Sequence, residues 1–475
     1  MQTQESKLEQ KQPSQISLNN HQQEYLNKFI ERYSQKTPKS KQQAQKYRQV
    51  LADVRGSAGF RSTIKEMVYP IVGKYASGSR MWDIDGNEYV DLMMGFGVNL
   101  FGYNPDFIAE AIRERLEQGI HIGPQSDLAG EVAELFSEVT GMERVTLSNT
   151  GTEAVITALR IARSATGRRK IAMFSGSYHG HSDATLIKAN FQDEITELLP
   201  AFPGVSSSIL ADGLVLKYGD FASLEVIKQH QEELAAVIVE PVQNSRPDIQ
   251  PKEFLQQLRK LTEEARIVLI FDEMLTGFRL HPGGAQAWFN VQADIATYGK
   301  IVGGGMPIGV IAGKAKYLDR IDGGMWNFGD DSAPEVEKTF FAGTYCKHPL
   351  SMAAARAVLR YIKLQGSALQ EKLNQRSTEF IQAVNSYFQE DGVPIRMANC
   401  GSIFNSIPFG NQSAAAKSVV SENKDLIYYH LIHKGVFIRA GGGLLSTAHT
   451  DEDLDFVIQA IKESVKELRS GGFLP

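Results

Sequence analysis

The chain has 475 residues, 42% hydrophobic and 22% charged, with a formal net charge of −5. That balance excludes a disordered or fibrous chain and a strongly basic nucleic-acid binder, and the length allows one large or two medium domains. Two cysteines, Cys346 and Cys400, make neither a disulfide framework nor a zinc site. With no signal-like N-terminus and no apolar run near ~18 residues, the expectation is a cytoplasmic protein without a membrane span.

The first fifty residues hold twelve Gln and nine Lys/Arg against four Asp/Glu, unlike the rest of the chain. Leu26, Phe29, Ile30 and Tyr33 recur at helical spacing and predict a short amphipathic helix over 20–34. The polar stretch 36–48 reads as a linker, so 1–55 is expected to be a Gln-rich linker carrying one helix. From Gly56 the pattern is that of an α/β domain. Residues 81–83 and 88–92 flank Asp85-Gly86-Asn87, a hairpin signal. Strand-like runs recur at 145–148, 171–174, 236–240 and 267–272, separated by helical stretches such as 153–165 and 251–265. That alternation predicts a mostly parallel sheet covered on both faces. After Ala353 a long helical segment leads to strands at 401–408 and 436–439 and a closing helix over 451–468.

Four stretches carry candidate chemistry. Ile267-Val-Leu-Ile-Phe-Asp272 is a buried-strand pattern that presents Asp272 at its carboxyl end, where open α/β sheets bind ligands; a helix-capping Asp reads equally well. Lys300 follows a short apolar run and precedes Gly303-Gly304-Gly305, whose spacing fails the dinucleotide-binding pattern. Ser148-Asn149-Thr150-Gly151-Thr152-Glu153 joins a strand to a helix and suits a phosphate at the helix N-terminus, though the same residues make an ordinary N-cap. Ser175-Gly-Ser-Tyr178-His179-Gly180-His181 follows another strand. Its tyrosine could lie on a planar heterocycle, and its two histidines alone make no metal site.

Taken together and in order, these stretches resemble the class III aminotransferases that depend on pyridoxal phosphate (PLP), of fold type I, over 69–468. The resemblance implies a large domain (116–352) around a mostly parallel seven-stranded sheet, and a smaller α/β domain built from both chain ends (56–115 and 353–475). It also implies an obligate homodimer. Carried over, Lys300 is the Schiff-base lysine and Asp272 the partner of the pyridine nitrogen. Thr150, Gly151 and Thr152 hold the phosphate, Tyr178 stacks on the ring with His179 beside it, and Met274 covers the other face. Thr344, in Phe341-Ala-Gly-Thr344, matches a threonine lent by the neighbouring subunit.

Leu275 and Ser245 stand where ornithine- and GABA-type members carry Gln and a gatekeeping Glu, and Asp272-Glu-Met-Leu-Thr-Gly-Phe-Arg279 is like glutamate-1-semialdehyde aminomutase. That enzyme has an Asn at the Ser245 position against the cofactor's 3′-oxygen, so the resemblance implies Ser245 or Asn244 in its place. The opening Ser57-Ala-Gly59-Phe-Arg61-Ser-Thr-Ile-Lys65 is similar instead to aminotransferase domains of hybrid polyketide/peptide synthetases of the microcystin and mycosubtilin type. The expected reaction is therefore transfer from an amino-acid donor such as glutamate to the β-keto carbon of a chain held on an acyl carrier protein. A free-standing aminomutase is the alternative. Arg61 and Arg439 are candidate carboxylate binders. A nicotinamide dehydrogenase lacks its Gly-rich turn here, and a DNA-binding regulator lacks its module.

Overall fold

The computed structural model describes residues 18–192, 195–407, 425–439 and 441–475. The N-terminal hairpin forms where Asp85-Gly86-Asn87 directs it: β1 (Gly73–Ser77), β2 (Arg80–Asp83) and β3 (Glu88–Asp91) are antiparallel neighbours, with Met81 opposite Tyr89. Next come β4 (Arg144–Ser148) and β5 (Lys170–Phe174), then a separate hairpin of β6 (Ile187–Gln192) and β7 (Ile195–Pro200). The chain continues through β8 (Gly213–Leu216), β9 (Leu234–Val239), β10 (Val268–Asp272), β11 (Ile295–Gly299) and β12 (Gly309–Gly313).

Seven strands make the large sheet in the order β4-β12-β11-β10-β9-β5-β8. β12 runs antiparallel to both neighbours, while the β11-β10-β9-β5-β8 run is parallel. Every residue of β9, β10, β11 and β12 is buried, the mark of a sheet covered on both faces. Because β5, β9, β10 and β11 are parallel, the residues at their carboxyl ends emerge at one edge.

At the C-terminal side, β13 (Arg396–Cys400), β14 (Ile403–Ile407), β15 (Val436–Phe437) and β16 (Gly442–Leu444) lie outside the large sheet. β15 pairs with β3, so one small sheet is stitched from the two ends of the chain. The long helical segment resolves into two helices, Pro349–Gln365 and Ala368–Glu390, and the closing helix spans Asp451–Ser470. Pro408, the last residue of the expected 401–408 strand, and residues 1–17 lie outside the described residues.

The segment 36–48, expected to be a polar linker, is helical instead. The predicted first helix is present as α1 (Asn20–Lys36), but it is followed at once by α2 (Pro38–Tyr47). Two things make the polar stretch helical. Pro38 starts the helix with its φ already set, and Asp85 of the hairpin turn accepts from the backbone N–H groups of Lys39 (2.7 Å) and Ser40 (3.0 Å). A carboxylate distant in sequence thus supplies the cap, which local patterning cannot reveal. α1 buries Leu26, Phe29 and Tyr33; Phe29 stacks on His430 at 3.8 Å, and Arg32 pairs with Glu467.

Candidate functional site

The cleft forms at the carboxyl edge of the parallel strands. Asp272 ends β10 and is 2% exposed; one oxygen accepts from His179 Nδ1 at 2.7 Å, the other from the Met274 backbone N–H and Thr297 Oγ1. That bond leaves His179 Nε2 as a buried nitrogen with no partner among the described residues, free to meet whatever the cleft holds. Lys300 follows β11 at once with φ 46°, a left-handed conformation that costs a non-glycine residue roughly 1 kcal/mol or more. Burial lowers its amine below the usual lysine range, helped by Arg279 and opposed by Asp272 and Glu240.

Close approaches tie the expected residues together. Met274 wedges between two turns: a Cβ on Gly151 would come within 2.7 Å of its sulfur, and one on Gly299 within 2.9 Å. Gly309 is needed because a Cβ there would meet the Thr150 carbonyl at 2.1 Å. Thr150 is the N-cap of the helix Gly151–Thr166, its hydroxyl accepting from Glu153 N–H, so the N-cap reading of that residue holds. The N–H groups of Gly151 and Thr152 belong to the first turn, which has no helical partners, and remain suited to an anion. Thr152 Oγ1 in turn accepts from His181 N–H, laying the Tyr178–His181 turn against the phosphate turn. Tyr178 itself is 70% exposed, a ring standing free at the cleft.

Not every expected residue joins this cluster. Ser245 and Thr344 are exposed in the single chain. Arg61 and Arg439 lie instead with Asp425 and Tyr429. Sequence reasoning misses two buried acids. Glu240 follows β9 and accepts from the backbone N–H groups of Tyr178 (3.3 Å) and Asn244 (3.4 Å); burial pushes its carboxyl up to about 7. The signal was legible, an acid directly after the apolar run Leu-Ala-Ala-Val-Ile-Val, the same pattern that marks Asp272. Glu273 is also raised to about 7 by burial, but it accepts from Ala285 and Gln286 N–H at the start of another helix and serves structure. Arg279 is fully buried with no carboxylate paired to it among the described residues, its guanidinium donating to Ser402 Oγ and to the Leu445 and Gly97 carbonyls; burial drops it to about 9.

Among the described residues no cluster of three or more His, Cys, Asp or Glu could hold a metal, and no helix is long and apolar enough to cross a membrane. The donor set fits PLP: a buried amine of lowered basicity for the aldehyde, a carboxylate at the sheet edge, a helix N-terminus for the phosphate, and an unpartnered imidazole nitrogen.

Residues 62–464 match the family description Aminotransferase class-III. The glutamate-1-semialdehyde 2,1-aminomutase of Desulfitobacterium hafniense (strain Y51) is 34% identical over 418 residues, covering 86% of this chain and 93% of that one. A crystal structure of a β-phenylalanine aminotransferase from Variovorax paradoxus superposes with TM-score 0.80 at 27% identity, covering 96% of this chain and 99% of that one. A transaminase structure with PLP bound has TM-score 0.78 at 27% identity, covering 92% and 99%.

Proposed function

The chain belongs to the class III aminotransferases, PLP-dependent enzymes, and from that premise we propose that Lys300 carries the cofactor and moves the proton that accompanies amino-group transfer to a carbonyl substrate. The observation that carries this reading is the strained, half-buried Lys300, its amine held below the usual range, at the same sheet edge as the His179–Asp272 pair. When bound, PLP supplies an electron sink for the pair left behind as the proton departs. The protein does the rest. Lys300, its amine lowered by burial, is suited to take a proton and return it at the neighbouring position. Asp272 is suited to keep the ring nitrogen protonated, and His179 fixes that carboxylate through one Nδ1–H donation. Gly151 and Thr152 N–H groups suit the phosphate, Met274 and Tyr178 the two ring faces, and Ser245 or Asn244 the 3′-oxygen. Thr344 would serve the site of a second copy in a homodimer.

For the substrate, the curated relatives favour movement of an amino group within a semialdehyde, as their name says. A second reading, amination of a β-ketoacyl thioester on a carrier protein, draws support from two observations. The 27%-identical neighbour is a β-phenylalanine aminotransferase, and an apolar cavity borders the turn that packs on Leu275. Purified PLP-loaded protein offered glutamate-1-semialdehyde, or an amino donor with a β-ketoacyl N-acetylcysteamine thioester, decides between them by mass spectrometry of the products. Fast isomerisation of the semialdehyde with no β-amino product supports the first reading; the reverse supports the second.

A further inference from the structure

The residues before Arg61 precede the family match, which begins at 62, yet they line two adjoining cavities. The inner chamber, about 520 Å³, lies between this extension and the small domain. Tyr33, Arg55 and Ala58 come from the extension, and Phe96, Tyr429 and Arg439 from the body. A second chamber of about 630 Å³ shares Arg55, Pro70 and Ile71 with it and runs along α2 past Tyr47, Leu51 and Phe60. Those three are 41%, 61% and 52% exposed, so this chamber opens to solvent. Volume and a mainly apolar, aromatic lining with a few polar groups are those of small-molecule sites.

The wall nearest the candidate cofactor site is strained. Met94 (φ 44°), Gly95 (63°), Phe96 (57°) and Gly97 (93°) are four successive residues of positive φ, two of them with bulky side chains. Such strain persists only where the surroundings enforce it, and it gathers at ligand sites. Here Asp91 accepts from Met93 and Met94 N–H on one side, and on the other the Gly97 carbonyl accepts from Arg279. A Cβ on Gly97 would lie 3.0 Å from Leu275, three residues beyond Asp272. The bracing leaves Phe96 60% exposed on the chamber wall.

We propose that this two-chamber channel binds the apolar acyl chain of a thioester substrate together with its carrier arm, and that the N-terminal extension is the specificity element. The inference rests on the second substrate reading above. An apolar chain suits the inner chamber, and Arg439 and Arg55 suit carbonyl or anionic oxygens along the thread. A free five-carbon semialdehyde would need neither chamber.

The test is binding of decanoyl and butyryl N-acetylcysteamine thioesters, which cannot turn over, to the PLP-loaded protein by calorimetry. Each methylene taken from water is worth a factor of about four, so decanoyl should bind at least about tenfold tighter than butyryl. Ala58→Trp, which fills the inner chamber, should abolish that length preference while the bound cofactor's absorbance persists. Should that variant lose its cofactor, Leu51→Asp in the outer chamber tests the same point, with decanoyl affinity expected to fall. Equal affinities in the wild type, or an unchanged preference in the variants, overturn the proposal. If the preference is present and β-ketoacyl thioesters are still not aminated, the channel stands and the substrate reading falls.

Discussion

His449 lies just before the closing helix, and both its ring nitrogens are committed. Nδ1 accepts from Ser446 N–H at 3.0 Å, and Nε2 donates to the Asp91 carbonyl at 3.1 Å. Only the neutral ring with its proton on Nε2 satisfies both. Burial accordingly lowers its pKa to about 4, against the pull of Asp453 and in line with the push of Arg376. An unfolded histidine titrates near 6.5, so the stability this residue contributes is present above that value and is lost as pH falls below it. At pH 5.5 the loss is RT ln(1 + 10), about 1.4 kcal/mol, and at pH 7.5 only ~0.1 kcal/mol. Glu240 and Glu273, both raised to about 7, pull the opposite way over the same window. The quantity to measure is therefore the stability gap between wild type and His449→Gln, from urea unfolding at the two pH values. The gap should shrink by about 1.3 kcal/mol from pH 7.5 to 5.5. A gap that stays constant within ~0.4 kcal/mol would show that the ring is already charged, or solvated, in the folded protein.

Lys300→Ala should fold yet lose the covalently held cofactor's absorbance, with turnover down at least ~10²-fold; near-normal turnover removes Lys300 from its role. Asp272→Asn keeps the shape and removes the charge facing the ring nitrogen, so PLP should still bind while turnover falls by orders of magnitude; unchanged rates would mean that another group faces that nitrogen. Glu240→Gln should raise stability above pH 7, where the wild-type carboxylate is ionised against its burial, and leave it unchanged below pH 4.5; thermal melts at pH 4 and 8 check the sign. Phe29→Ala, removing a fully buried ring, should cost about 3–5 kcal/mol in denaturant midpoint experiments; a cost under ~1 kcal/mol would mean that α1 is not part of the folded body.

Much of the fold and of the site is legible in the sequence because sheet chemistry is local. An apolar run that ends in an acid announces both a buried strand and the residue at its mouth, which singles out Asp272 and marks Glu240 equally well. Gly151 is readable as an anion turn, but not that Met274 forbids a side chain there, since that contact joins the turns after two strands far apart in sequence. The helix within 36–48 is hidden for the same reason: its first free N–H groups are met by the carboxylate of Asp85, a residue that belongs to a hairpin turn. Asp85-Gly86-Asn87 speaks for its backbone alone, and its carboxylate has a second use.

Arg279 bears on how the chain reaches this state. Its two terminal nitrogens find their partners only when Gly97, Ser402 and Leu445 have all arrived, across sequence separations of 182, 123 and 166 residues. Until then the charge must stay hydrated, and the Leu275–Phe278 segment beside it cannot close. Such long-range closures are slow because loop entropy precedes any reward. Consolidation of the sheet edge that carries Asp272 should therefore be a late kinetic event. It would come only after synthesis has passed residue 445, so a nascent chain holding the whole seven-stranded sheet would still lack a finished cleft.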